Sequence, residues 1–157
     1  MSFSNFFRYA IKKRFDICPY SERRGVGNWA FACDRPKLGS IKIIEKNNAR
    51  VVCLFSQYRY GTIKKYQDLI IDRHIVDGYD QGVVETEEIR EMAFKKCLNE
   101  MDRLIPQEAN IYFPEMIGCR LAGGNWVLYG NWGNYKKMIE KFAENRNVTI
   151  VQQMIWH

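Results

Sequence analysis

The chain has 157 residues, 46% of them hydrophobic and 14% aromatic, and carries a net charge of +6. That length suits one domain with its own core, and the apolar content excludes a disordered tail. The basic residues are scattered, apart from Lys12, Lys13 and Arg14 and pairs such as Arg23 and Arg24, so no basic run marks a nucleic-acid tail and any DNA or RNA binding rests on charge alone.

In chain order, Phe3, Phe7, Ile11 and Phe15 recur at helical spacing and predict a helix over 3–15. Its aromatic stripe reads as a core face rather than a membrane-surface helix. Residues 19–39 are loop-like, with Pro19, Gly25, Gly27, Pro36 and Gly39, and hold a candidate short strand, "NWAFAC", at 28–33. "SIKIIE" (40–45) and "ARVVCLF" (49–55) are rich in β-branched residues and are separated by the turn signal "KNN", which predicts a hairpin. A loop, "SQYRYG", follows at 56–61. Within 62–84, "IKKYQDLIID" can be helical and "GYDQG" is a break.

From Thr86 to Ile105 the helical pattern is clear. Thr86 can cap, Glu87 and Glu88 suit the positive end of the helix, and Ile89, Ala93, Cys97, Met101 and Leu104 form the expected buried face. Pro106 stops the helix. "NIYFP" (110–114) is a short buried strand. Asn134 can cap a last helix with Tyr135, Met138, Ile139 and Phe142 on one face, and "VTIVQQMIW" (148–156) is a final strand. Helices alternating with the later strands predict the α/β class, one domain over 1–157, with a parallel or mixed sheet covered by helices.

Side-chain chemistry narrows the function. The five cysteines, at 18, 33, 53, 97 and 119, form no C-x-x-C pair, and the only histidines are His74 and His157. A zinc site and a Ser-His-Asp arrangement are therefore not expected, and the irregular thiols suit a reduced, cytoplasmic protein. No apolar run has the length of a membrane span, and the N-terminus lacks the apolar region and cleavage site of a secretory signal. Asp68, Asp72, Asp77 and Asp80 read as a solvated face rather than an acid/base pair.

The remaining feature is "IGCRLAGGNW", Ile117 to Trp126, directly after the strand "IYFPEM". Glycines after a strand let backbone N–H groups approach an anion, and ligands of open α/β sheets bind outside the carboxyl ends of strands. The stretch is neither a Walker loop nor a G-x-G-x-x-G turn, and a plain tight turn is the competing reading.

"IYFPEMIGCRLAGGNW" resembles the strand and loop of macro domains, in which an I-G-C-G-L-A-G-G-x-W run follows a strand ended by proline. "KLGSIKIIEKNNARVVCLFSQYRYG" (37–61) resembles the Leu-Gly turn and central hairpin of that family, and "AIKKRF" (10–15) the end of its first helix. The stretch looks like that of bacterial and phage members similar to ADP-ribose-1″-phosphate phosphatases and ADP-ribosyl hydrolases. The resemblance covers most of 6–61 and 109–156. It implies a mixed sheet flanked by helices on both faces and a cleft for ADP-ribose or a related nucleotide, with no cofactor. Gly118, Cys119, Arg120, Leu121, Ala122, Gly123, Gly124 and Asn125 would line the ribose and diphosphate side, with Ser56 and Gln57 near them.

Three departures bear on that implication. The leading strand and asparagine-bearing loop of the family have no counterpart here. Phe3-Ser4-Asn5-Phe6 stands where a glycine loop wraps the diphosphate, and Arg120 replaces a glycine in the second loop. The lysine and acid that one hydrolase branch uses are matched by Gln57 and Ala122, so the catalytic residues are unknown. Arg120 has two readings, an ion pair with a phosphate or carboxylate, or a side chain that fills the cleft or points to water. Two alternatives therefore stand beside ligand binding. One is a degenerate module that binds a protein, such as a phage antagonist of a host ADP-ribosylating enzyme. The other is a basic nucleic-acid-associated protein.

Overall fold

A computed structural model of the chain describes residues 11–17, 36–57, 86–117 and 132–152. Residues 11–15 are helical. Strands β1 (Ile41–Lys46) and β2 (Ala49–Leu54) are followed by helix α1 (Glu87–Leu104), strand β3 (Asn110–Pro114), helix α2 (Trp132–Phe142), a one-turn 3-10 helix (Ala143–Asn145) and strand β4 (Asn147–Val151).

The predicted hairpin forms. β1 and β2 pair antiparallel from Ile41↔Leu54 to Lys46↔Ala49. Asn47 and Asn48 both take left-handed backbone, φ 52° and 58°, which asparagine tolerates better than most residues and which matches the twist of a two-residue hairpin turn. The pairing places Ile41, Ile43, Val52 and Leu54 on one face, and that face packs against the core. The segment at 11–17 meets the turn end of the hairpin: Asn47 Nδ2 donates to Phe15 O at 3.3 Å, Lys46 Nζ donates to Asp16 O at 3.0 Å and also pairs with the Asp16 carboxylate, and Ile17 is fully buried.

Helix α1 begins at the predicted cap. Thr86 is extended, and its Oγ1 accepts from Ile89 N at 3.2 Å. The buried stripe is Arg90, Ala93, Phe94, Cys97, Leu98 and Met101. This corrects the expected face in two places. Ile89 is only half-buried, and Leu104 is 46% exposed, because the helix turns its 90/94/98/101 edge inward. Asn134 is likewise not a cap: α2 already begins at Trp132, and the Asn134 amide donates to Glu91 Oε1 at 2.8 Å. On α2, Tyr135 and Ile139 are buried and Met138 and Phe142 are packed against the core, as the spacing predicts.

β3 and β4 pair parallel, from Asn110↔Asn147 to Pro114↔Val151, with α2 in the connection between them. Ile111 and Phe113 face the helices, whereas Asn110 and Tyr112 are exposed. Among the described residues the strands form one antiparallel and one parallel pair, in a mixed α/β protein. One core serves both pairs. Phe94, Leu98, Met101, Ile105, Ile111, Phe113, Tyr135 and Ile139 form it, and the inward residues of all four strands contribute. Two ring contacts tie the layers together. Phe94 of α1 lies 4.6 Å from Tyr135 of α2 between centroids, and Phe113 of β3 meets Phe142 edge-on at 6.2 Å, geometries that add about 0.5–1.5 kcal/mol each beyond area burial. No helix among the described residues is long and apolar enough to cross a membrane.

Candidate functional site

The two helices run in the same direction. Near their starts Asn134 bonds Glu91, and near their ends Arg146, just after α2, bonds Asp102. A short turn joins the end of α1 to the start of β3, so α1 runs opposite to β3. The amino ends of both helices therefore sit at the carboxyl end of the parallel strand pair. This is the end of an open α/β sheet at which ligands bind.

The carboxyl end of β3 is built tightly. Glu115 N donates to Val151 O at 2.8 Å, which extends the β3–β4 ladder past Pro114, and Ile117 N donates to Pro114 O at 3.2 Å, which closes a turn. Inside that turn Met116 takes φ 58°. A long side chain in left-handed backbone costs energy, and such residues gather at binding and switch sites. The chain enters the glycine stretch directly after this turn.

The electrostatics of the two helix starts differ. The first turn of α1 carries Glu87 and Glu88, and the Glu88 carboxyl is held below its ordinary pKa by hydrogen bonds from its own backbone and from Thr86. Its positive end is thus neutralised by the protein itself. The first turn of α2 carries no acid. An acid reaches it from the neighbouring helix instead, because the Asn134 side chain of that first turn donates to Glu91 Oε1 at 2.8 Å and so offsets part of its positive potential. On the inward stripe of α1, Arg90 lies one helical turn before Phe94, whose ring meets that of Tyr135 of α2 at a tilt of 57°. Arg90 is 2% exposed, so a full positive charge is buried near the starts of both helices.

Of the residues expected at the site, Ser56 and Gln57 are described. They are adjacent and half-buried, and they follow β2 where Gly39 N bonds Phe55 O at 2.7 Å and Phe55 N bonds Ser40 O at 3.1 Å. Gly118, Cys119, Arg120, Leu121, Ala122, Gly123, Gly124 and Asn125 lie outside the described residues, as do the aspartates at 68–80 and both histidines. Cys97 is a core thiol: it is fully buried, its Sγ donates to Ser40 O at 3.3 Å, and burial pushes its pKa up to about 11. That environment suppresses the thiolate a nucleophile needs. Nothing in the sequence marks the buried Arg90 and Arg146, because an arginine on a helix or in a turn reads like any surface cation until the packing around it is known.

Comparison of the chain with protein-family models, with curated proteins and with solved structures found no match.

Proposed function

We propose that the protein binds ADP-ribose or a related nucleotide diphosphate at the carboxyl end of β3, as the resemblance of residues 109–126 to macro domains implies. The observation that carries this reading is the unit formed by β3, the glycine stretch and α2: a left-handed turn at Met116 leads into three glycines, and the helix beyond starts without an acid. Backbone N–H groups beside a helix start suit a diphosphate, and Arg120 would add a charge-assisted contact worth about 1.5–3 kcal/mol. The reading is of binding rather than catalysis. Gln57 and Ala122 stand where a lysine and an acid serve one hydrolase branch, and neither an amide nor a methyl group can carry a proton in a hydrolytic step.

Calorimetry with ADP-ribose tests the reading. We expect a binding isotherm that weakens in Arg120→Ala and is lost in Gly123→Val. An absence of heat at millimolar ADP-ribose, with the far-UV spectrum of a folded protein, overturns it.

A further inference from the structure

On the outer side of the parallel helix pair, Glu88, Glu91, Met92 and Lys95 of α1 face Lys137, Met138 and Lys141 of α2 across an open groove of about 450 Å³. The α1 residues recur at i, i+3, i+4 and i+7, so they form one continuous lip along the helix axis. Met92 is 57% exposed, an unusual position for a large apolar side chain, and Met138 is only partly withdrawn into the core. The floor is therefore apolar, adaptable thioether. The charges are arranged asymmetrically. Glu91 is held by Asn134, and Lys136 pairs with Glu140 at 3.8 Å on the neighbouring face of α2. Lys95, Lys137 and Lys141 have no acidic partner within ion-pair distance among the described residues.

We propose that this groove docks an acidic amphipathic helix of a protein partner, with apolar side chains on Met92 and Met138 and carboxylates facing Lys95, Lys137 and Lys141. A groove between parallel helices accepts anchors at helical spacing, and three lysines along it select an acidic flank. A nucleic-acid backbone, with a phosphate at every nucleotide, would also set charge against Glu88 and Glu91 near the helix starts, whereas a peptide helix can keep its carboxylates at the Lys95, Lys137 and Lys141 end. The docking proposal rests on the lining of the groove and does not use nucleotide binding at the strand ends.

The test uses the ¹⁵N-labelled full chain titrated with a short synthetic amphipathic helix bearing leucines on one face and glutamates on its flanks. Expected are amide shifts confined to 88–95 and 137–141, and at least a roughly ten-fold weaker affinity for the Lys95→Glu, Lys137→Glu, Lys141→Glu variant. Retention of the wild-type circular dichroism spectrum by that variant separates loss of docking from loss of fold, and Met92→Ser gives a second, uncharged probe of the floor. Absence of shifts at millimolar peptide overturns the proposal. So do equal shifts with a lysine-flanked peptide, equal binding of duplex DNA in the same groove, or a sedimentation profile showing that the groove pairs with a second copy of the chain.

Discussion

Arg146 closes the α2–β4 corner onto the end of α1 by gripping Asp102 twice. Its Nε donates to Asp102 Oδ1 at 2.8 Å and its Nη2 to Asp102 O at 2.6 Å, while Nη1 donates to Ile105 O at 3.0 Å and Pro106 O at 3.2 Å. The guanidinium also lies 5.2 Å over the Phe142 ring. The carbonyls at the end of a helix lack intrahelical donors, and here one side chain serves that of Asp102 in the last turn and those of Ile105 and Pro106 just beyond it. The Arg146 side chain is 1% exposed, against 64% for Asp102.

That asymmetry sets the first prediction. Arg146→Met removes every donor at once and leaves the Ile105 carbonyl buried without this partner, so it should cost about 3 kcal/mol. Asp102→Asn keeps an acceptor at a solvated position and leaves the main-chain bonds intact, so it should cost less than about 1 kcal/mol. Urea unfolding of both variants checks the ordering. Equal losses would mean that the ion pair, rather than capping of the α1 carbonyls, holds the corner.

A second prediction concerns alkaline stability. Cys97 is fully buried, and its pKa is raised from 9.0 to about 11, chiefly by burial. The native state thus favours the protonated thiol. Its contribution to stability is complete below about pH 9 and is lost as pH rises from about 9 towards about 11, where the unfolded chain releases the proton more easily. Cys97→Ala removes this titration, so its stability should fall less steeply over that range than wild type. Pulse alkylation at pH 8 with peptide mapping should show Cys97 protected until the protein unfolds. Rapid native labelling of Cys97 would contradict the burial on which both statements rest.

Gly39 fits its position for two separable reasons. Its φ is +84°, and a Cβ placed there would lie 3.1 Å from both Cβ and Cδ of Lys96. The lysine tip can move, but its Cβ is fixed by α1. Gly39→Ala should therefore destabilise the fold by about 1–3 kcal/mol, from backbone strain and crowding together. Adding Lys96→Ala removes only the Cδ contact and should restore only part of the loss. Full restoration would show that the backbone is relaxed at Gly39.

The fold was legible wherever local chemistry and long-range packing agree. The hairpin follows from two β-branched runs around Asn47 and Asn48, α1 from Thr86 and the spacing up to Pro106, and β3 from five residues that became the strand as read. What the sequence misplaced was helix phase. Leu104 fits the same apolar period as Met101 but lies in the last turn, where the inward stripe has ended. Asn134 has the chemistry of a cap, yet Trp132 and Gly133 already belong to the helix and its amide serves Glu91 instead. Of the candidate site, the sequence marks the strand, the turn and the glycines, whereas the charge buried at Arg90 and the contrast between the two helix starts emerge only when α1 and α2 are seen side by side.

Met116 offers a local test of the turn that leads into the glycine stretch. Its φ of 58° is a conformation in which an L side chain clashes with its own backbone, while glycine has no such penalty. Replacing Met116 by Gly loses side-chain contacts and raises chain entropy in the unfolded state, so comparison with wild type mixes several effects. Comparison with Met116→Ala is cleaner, because both variants lose the long side chain and differ in the Cβ alone. At an ordinary extended or helical position alanine is the more stable by about 0.5–1 kcal/mol. At a left-handed position the order reverses, and Met116→Gly should exceed Met116→Ala by about 1 kcal/mol in chemical denaturation. Alanine equal to or better than glycine would show that the chain leaves β3 without this turn.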